Sequence, residues 1–113
     1  MKKVTARFYR TLSGQEPVRE WLNDFSKEDK KIIGADIQTV EFGWPIGMPV
    51  CKPLGAGLYE IRSFLSSSRI ARTFFCMSCH EIILLHGFIK KSQKTPSTEI
   101  DTARKRSKGH GNG

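Results

Sequence analysis

From residue 58 onward, apolar positions fall in three runs rich in β-branched and aromatic residues: Leu58–Leu65, Ile70–Met77 and Glu81–Ile89. Runs of this length and composition predict strands. The breaks between them, Ser66-Ser67-Ser68 and Ser78-Cys79-His80, are too short for a parallel crossover and predict a three-strand antiparallel meander. Upstream, Lys3–Tyr9 predicts a short strand at a sheet edge, with Val4, Ala6 and Phe8 on one face. The period then changes. Val18, Trp21, Leu22 and Phe25 follow the spacing of a buried helical face, and Pro17 suits a first turn, so Glu16–Phe25 predicts a helix. Ser26 reads as the cap of a second helix, with Asp29 in the capping-box position and Ile32, Ile33, Ile37 and Val40 as its apolar stripe. Gly43 and Trp44-Pro45 end it. Helices joined this tightly predict a hairpin packed on one sheet face. Gly43–Gly57 predicts a Gly/Pro-rich loop. Thr95-Pro96 reads as the cap and first position of a final helix of about ten residues, with Ile100 and Ala103 as a weak stripe.

Side chains alternate faces along a strand, which sorts the charges of the meander. Leu58, Glu60, Arg62 and Phe64 share one face of its first strand, and Ile70, Arg72, Phe74 and Cys76 one face of its second. Ile82, Leu84, His86, Phe88 and Lys90 share one face of the third. Arg62, Arg72 and His86 are thus expected to gather on one side of the sheet, with Lys90, Lys91 and Lys94 continuing the positive charge. The ordinary reading stands beside this one: Glu60 or Glu81 pairs with Arg62 or Arg72, and His86 is hydrogen-bonded packing.

A chain of 113 residues holds one domain, expected over 1–107, with the Gly-rich 108–113 as a disordered tail. The apolar runs are short and interrupted by charge, so no membrane span is expected. MKKVTARFYR lacks the apolar region of a secretory signal, and the cytoplasm is the expected location. The net charge of +8 suits an anionic partner. Much of it sits late, at Lys90, Lys91, Lys94, Arg104, Lys105, Arg106 and Lys108. Cys51, Cys76 and Cys79 are an odd set, which argues against a disulfide framework. Cys76-Met77-Ser78-Cys79-His80 spells the pattern of haem attachment, but it falls where a hairpin turn is predicted, with no export signal. No metal and no cofactor are expected.

The order of elements carries two specific runs: Gly57-Leu58-Tyr59-Glu60-Ile61-Arg62, and Leu84-Leu85-His86-Gly87-Phe88-Ile89-Lys90-Lys91-Ser92-Gln93-Lys94-Thr95-Pro96. With Arg72 between them, the chain from Val4 to about Arg106 resembles the HigB-like, phage-derived branch of the RelE/ParE toxin superfamily. The resemblance implies an α+β, RelE-like fold: a small antiparallel sheet, an N-terminal helical hairpin and a short C-terminal helix. It implies the toxin of a type II toxin–antitoxin pair, a metal-free endoribonuclease that cleaves mRNA on the 70S ribosome. The implied partner is a cognate antitoxin of helix-turn-helix, HigA-like type, through which alone operator DNA is met. Arg62, Arg72, His86 and Lys91 are the implied catalytic residues, and Lys52, Lys90, Lys94, Arg104, Lys105 and Arg106 the RNA-binding ones. Ala71 stands where the family's tyrosine-arginine pattern has tyrosine, and the C-terminal tyrosine of the RelE branch proper is absent.

Metal-free RNA cleavage requires a base for the 2′-OH, cations around the phosphorane-like transition state, and an acid for the departing 5′ oxygen. Arg62 and Arg72 suit the cationic role, since arginine does not give up its proton. His86, or a lysine depressed by its basic neighbours, suits proton transfer. The product would be a 2′,3′-cyclic phosphate and a 5′-OH. Two other readings remain open here: a ParE-like toxin aimed at DNA gyrase, and a non-catalytic nucleic-acid-binding module.

Overall fold

The computed structural model describes residues 1–90 and 95–112, with side chains to residue 110. Its elements run β1 (Thr5–Phe8), α1 (Pro17–Asn23), α2 (Lys27–Gly43), β2 (Cys51–Gly55), β3 (Leu58–Phe64), β4 (Ile70–Ser78), β5 (Glu81–Ile89) and α3 (Ser97–Asn112). The strands form one mixed sheet in the order β1-β5-β4-β3-β2, and the fold is α+β and compatible with a RelE-like architecture. The meander is antiparallel as expected, but the sheet as a whole is not: β1 joins its far edge parallel to β5.

The helical hairpin forms as its sequence predicts. Ser26 Oγ accepts a hydrogen bond from the Asp29 amide at 3.2 Å, closing the cap between α1 and α2. Val18, Leu22, Ile33, Ile37 and Val40 are buried against Ile61, Ala71, Phe75, Ile82 and Leu84, so the hairpin covers one sheet face. Trp21 belongs to this core and packs directly on the β5 backbone at Gly87. A Cβ at residue 87 would meet Cε3 and Cζ3 of the indole far inside van der Waals contact. Gly87→Ala is therefore expected to destabilise the fold by about 1–3 kcal/mol through overpacking, read by urea unfolding.

Asp29 does not complete the capping box with its own side chain. It reaches across to the β3–β4 turn, where its carboxylate accepts from Arg69 and from Ser66 Oγ. The Arg69 hydrogen bond holds the Asp29 carboxyl below the usual carboxylate range, against the opposing effect of burial. A depressed carboxyl stabilises the fold above its unfolded pKa, about 4, and that contribution is lost as pH falls through the folded value. Asp29→Asn is expected to flatten the fall of Tm with acidification below about pH 4, measured by thermal melts across the acid range.

Two further features of the sheet depart from the sequence reading. The Gly/Pro loop contains a strand: β2 pairs antiparallel with β3, with Cys51 opposite Ile61 and Lys52 opposite Glu60. It is an edge strand, so Pro53 is tolerated there, and a register shift follows between Pro53 and Gly55. The second departure is a bulge. Phe74 stands opposite His86, but Phe75 stands opposite Leu84, which leaves Leu85 as an extra residue. Ile82 and Leu84 consequently face the helical hairpin, whereas Ile83, Leu85 and Phe88 face the other side, under α3.

That second face is only partly covered. Ile100 and Ala103 of α3 pack with Leu58, Phe74, Cys76, Ile83, Leu85 and Phe88. At the end of the sheet reached by β3, Phe64 is 61% exposed. The helix α3 also runs well past the ten residues its stripe predicts, through Gly109.

Candidate functional site

The strand registers set the residues of this face in cross-strand rows. Lys52, Glu60, Phe74 and His86 form one row across β2, β3, β4 and β5. Arg62, Arg72 and Phe88 form the next. Phe64 and Ile70 form the last, and the Lys90 amide donates to the Ile70 carbonyl at 3.2 Å. The expected gathering of Arg62 and Arg72 is thus a direct pairing: they are register partners.

A carboxylate organises them. Glu60 is buried, at 1% exposure, and its Oε1 accepts from Arg62 Nε at 3.1 Å and from Arg72 Nη1. The ordinary reading is correct for Glu60 and not for Glu81, which pairs with Arg7 instead. Arg72 is itself buried, and its Nε has no hydrogen-bond partner among the described residues. Arg62 keeps about a fifth of its side chain in solvent, 21%. The two arginines therefore differ: Arg72 is a fixed interior charge, and Arg62 is the one that reaches outward. Glu60 was visible in sequence two residues before Arg62, on the same strand face, but only as a neutralising partner.

Lys90 completes the cluster. Its pKa is lowered by desolvation first, and then by the charges of Arg72, Arg62 and Lys52, with Glu60 acting the other way. Lys52, expected as a loop cation, is exposed on β2 directly opposite Glu60. Lys52, Arg62, Arg72 and Lys90 thus surround one carboxylate, leaving a surplus of positive charge at the uncovered end of the sheet. An anion bound here would find rigid donors on adjacent strands, beside a lysine whose pKa its surroundings lower.

His86 lies on the same face but one row away, beneath α3. Its Nε2 is 3.0 Å from Glu99 Oε1, and its Nδ1 is 3.3 Å from Arg106 Nη1. Arginine only donates, so Nδ1 accepts and Nε2–H donates to Glu99. Both ring nitrogens are engaged, and the ring also stacks against Phe88. Among the described residues no hydrogen bond joins His86 to Arg62 or Arg72.

The α3 cations divide. Arg106 donates to the Leu85 carbonyl at 2.8 Å and lies over the Tyr9 ring. Arg104 points to the Leu54 and Gly55 carbonyls at 3.4 Å. Both fasten the helix to the sheet. Lys105 is exposed. Lys91 and Lys94 lie outside the described residues.

The cysteines are scattered. Cys51 is buried on the helical-hairpin face, and burial, with the nearby Glu60 charge, pushes its thiol up to about 11. Cys76 is buried on the opposite face, while Cys79 and His80 are the exposed turn between β4 and β5. Among the described residues, no group of three or more His, Cys, Asp or Glu is placed to hold a metal ion, and no helix is long and apolar enough to cross a membrane.

Among known proteins, a family model described as phage derived protein Gp49-like (DUF891) matches residues 20–108. No curated protein matches the chain. The matched span runs from α1 into α3 and includes every residue of the basic cluster.

Proposed function

The chain belongs to the phage-derived Gp49-like family, a family of RelE/HigB-like toxins, and on that footing we propose that it is a metal-free endoribonuclease acting on mRNA at the ribosome. A toxin of this family works against a cognate antitoxin. We take that antitoxin to be of the HigA-like, helix-turn-helix type, the active unit to be a single domain over residues 1–107, and the place of action to be the cytoplasm.

One observation supports the reading above all: the paired Arg62 and Arg72, joined by Lys52 and Lys90 around Glu60, at the uncovered end of the sheet. A toxin aimed at gyrase requires no such cluster on its sheet. In the proposed reaction Arg62 binds the scissile phosphate from outside and Arg72 supports it from within. Lys90 takes the 2′-OH proton, and the oxygen attacks phosphorus to form the 2′,3′-cyclic phosphate. The departing 5′ oxygen is protonated by a second carrier, Lys91 or His86. For His86 to serve, α3 must first release it. Lys94 and Lys105 extend the path of the RNA backbone.

Arg62→Ala is the cleaner test of the cluster, because Arg72 is buried and its removal also disturbs the interior. Wild type, induced in bacteria, is expected to arrest growth and create new mRNA ends in translated regions only, mapped by primer extension, with cyclic phosphate at the upstream fragment. Arg62→Ala is expected to do neither. Growth arrest without new ends, or a 3′-OH product, would refute the ribonuclease reading.

A further inference from the structure

Five large apolar side chains stand exposed among the described residues: Met1, Leu12, Phe42, Met48 and Phe64. Of these, Phe64 alone lies on the sheet face that carries the basic cluster. It follows Arg62 by two positions on β3, so both project to the same side, and it stands opposite Ile70, beside Lys90. Phe64 belongs to neither apolar cluster of the fold. The strand that presents it is paired with β4 as far as Phe64 itself, opposite Ile70, while on its other side β2 ends opposite Ile61 and one further bond runs from the Arg62 amide to the Val50 carbonyl. The ring is thus offered to solvent from a rigid support, and packing gives no reason for its size.

We propose that Phe64 is the platform on which a base of single-stranded RNA stacks while Arg62 holds the neighbouring phosphate. The proposal deepens the ribonuclease reading and rests on it. Residues two apart on a strand are separated by roughly 7 Å, a span comparable to that between a phosphate and an adjacent base in an extended strand. An aromatic beside a track of cations is the arrangement that single-stranded nucleic acid requires, because every base has a π-face and every linkage a charge. The surplus of positive charge around Phe64 selects this occupant over an uncharged apolar one. Phe64 would thereby hold the nucleotide that flanks the cut in place whatever its base, without reading its edge by hydrogen bonds.

The test uses the whole protein and a 2′-O-methyl oligoribonucleotide, which lacks the attacking hydroxyl and reports binding alone. One base at a time is replaced by an abasic nucleotide. For wild type, removing one particular base is expected to weaken binding roughly 10-fold. Phe64→Leu is expected to bind the intact strand weaker by a similar factor, to lose nothing further when that base is removed, and to keep the salt dependence of wild type. Phe64→Trp is expected to restore the sensitivity. Additive effects at every position would overturn the stacking role. The ribonuclease reading then stands if Arg62→Ala still weakens binding and reduces the salt slope by about one. Normal RNA binding by Phe64→Leu with loss of antitoxin binding would also overturn it and assign the ring to the protein partner. Absence of salt-dependent RNA binding by wild type would remove both readings together.

Discussion

Glu60→Ala is expected to destabilise the protein by about 3–5 kcal/mol, the scale on which removing one partner of a buried ion pair acts. The reason is the position of Arg72. Its side chain is 6% exposed, its Nη1 donates to Glu60, and its Nε already lacks a partner among the described residues. Taking away the carboxylate leaves a guanidinium that solvent does not reach and that cannot shed its proton. Tm is expected to fall by roughly 10 °C or more. The double variant Glu60→Leu/Arg72→Met separates this loss from any loss of shape. If the penalty is an uncompensated charge, apolar replacement of the pair should recover most of the stability, because such pairs contribute little net stability over well-packed apolar groups. Cleavage should remain absent in the double variant. Chemical denaturation of the two variants decides the matter: equal instability in both would mean that Glu60 acts through packing and not as the counter-ion of Arg72.

That residue marks where the sequence stopped being legible. The elements themselves were readable, since each is dictated by local chemistry: the Ser26 cap, the Val18–Phe25 stripe, and the short turns that force a meander. The charges of β3 and β4 were also placed correctly, because alternation along a strand is local. What local pattern does not show is the bulge, the edge strand and the parallel joining of β1. Alternation put Ile82, Leu84 and His86 on one face, and the bulge at Leu85 splits them. No local pattern announces an extra residue in the middle of an apolar run. The edge strand β2 was hidden by Pro49 and Pro53, since proline argues against a strand until one knows that its missing donor faces away from the sheet. Gly87 looked like motif spelling and turns out to be the contact that admits Trp21. His86 fitted the candidate site by residue type, but α3 takes both of its nitrogens through Glu99 and Arg106, more than ten residues further along.

With His86 engaged, proton transfer is expected to fall on Lys90, and its replacement should show the largest kinetic effect in the molecule. Lys90→Met is expected to lower ribosome-bound mRNA cleavage by about 100-fold or more, the usual range for loss of a general base. Lys90→Arg should not rescue it, because the charge is kept while arginine stays protonated and cannot accept a proton. If Lys90 only bound phosphate, arginine would restore much of the rate, so the two substitutions distinguish base from clamp. The pH profile supplies a second, independent reading. A base works unprotonated, so the single-turnover rate should rise with pH and level off above the pKa of Lys90. That pKa is lowered by desolvation and by the charges of Arg72, Arg62 and Lys52. Removing one of these cations where it touches little else, in Lys52→Met, should raise it again and move the inflection to higher pH. The plateau rate should change less than the inflection, since Lys52 lies a strand away from the paired arginines, opposite Glu60. A profile that stays fixed in Lys52→Met, or a Lys90→Arg variant of normal rate, would take the base role away from Lys90. Lys91, next along the chain, and His86, released from α3, would then be the remaining carriers.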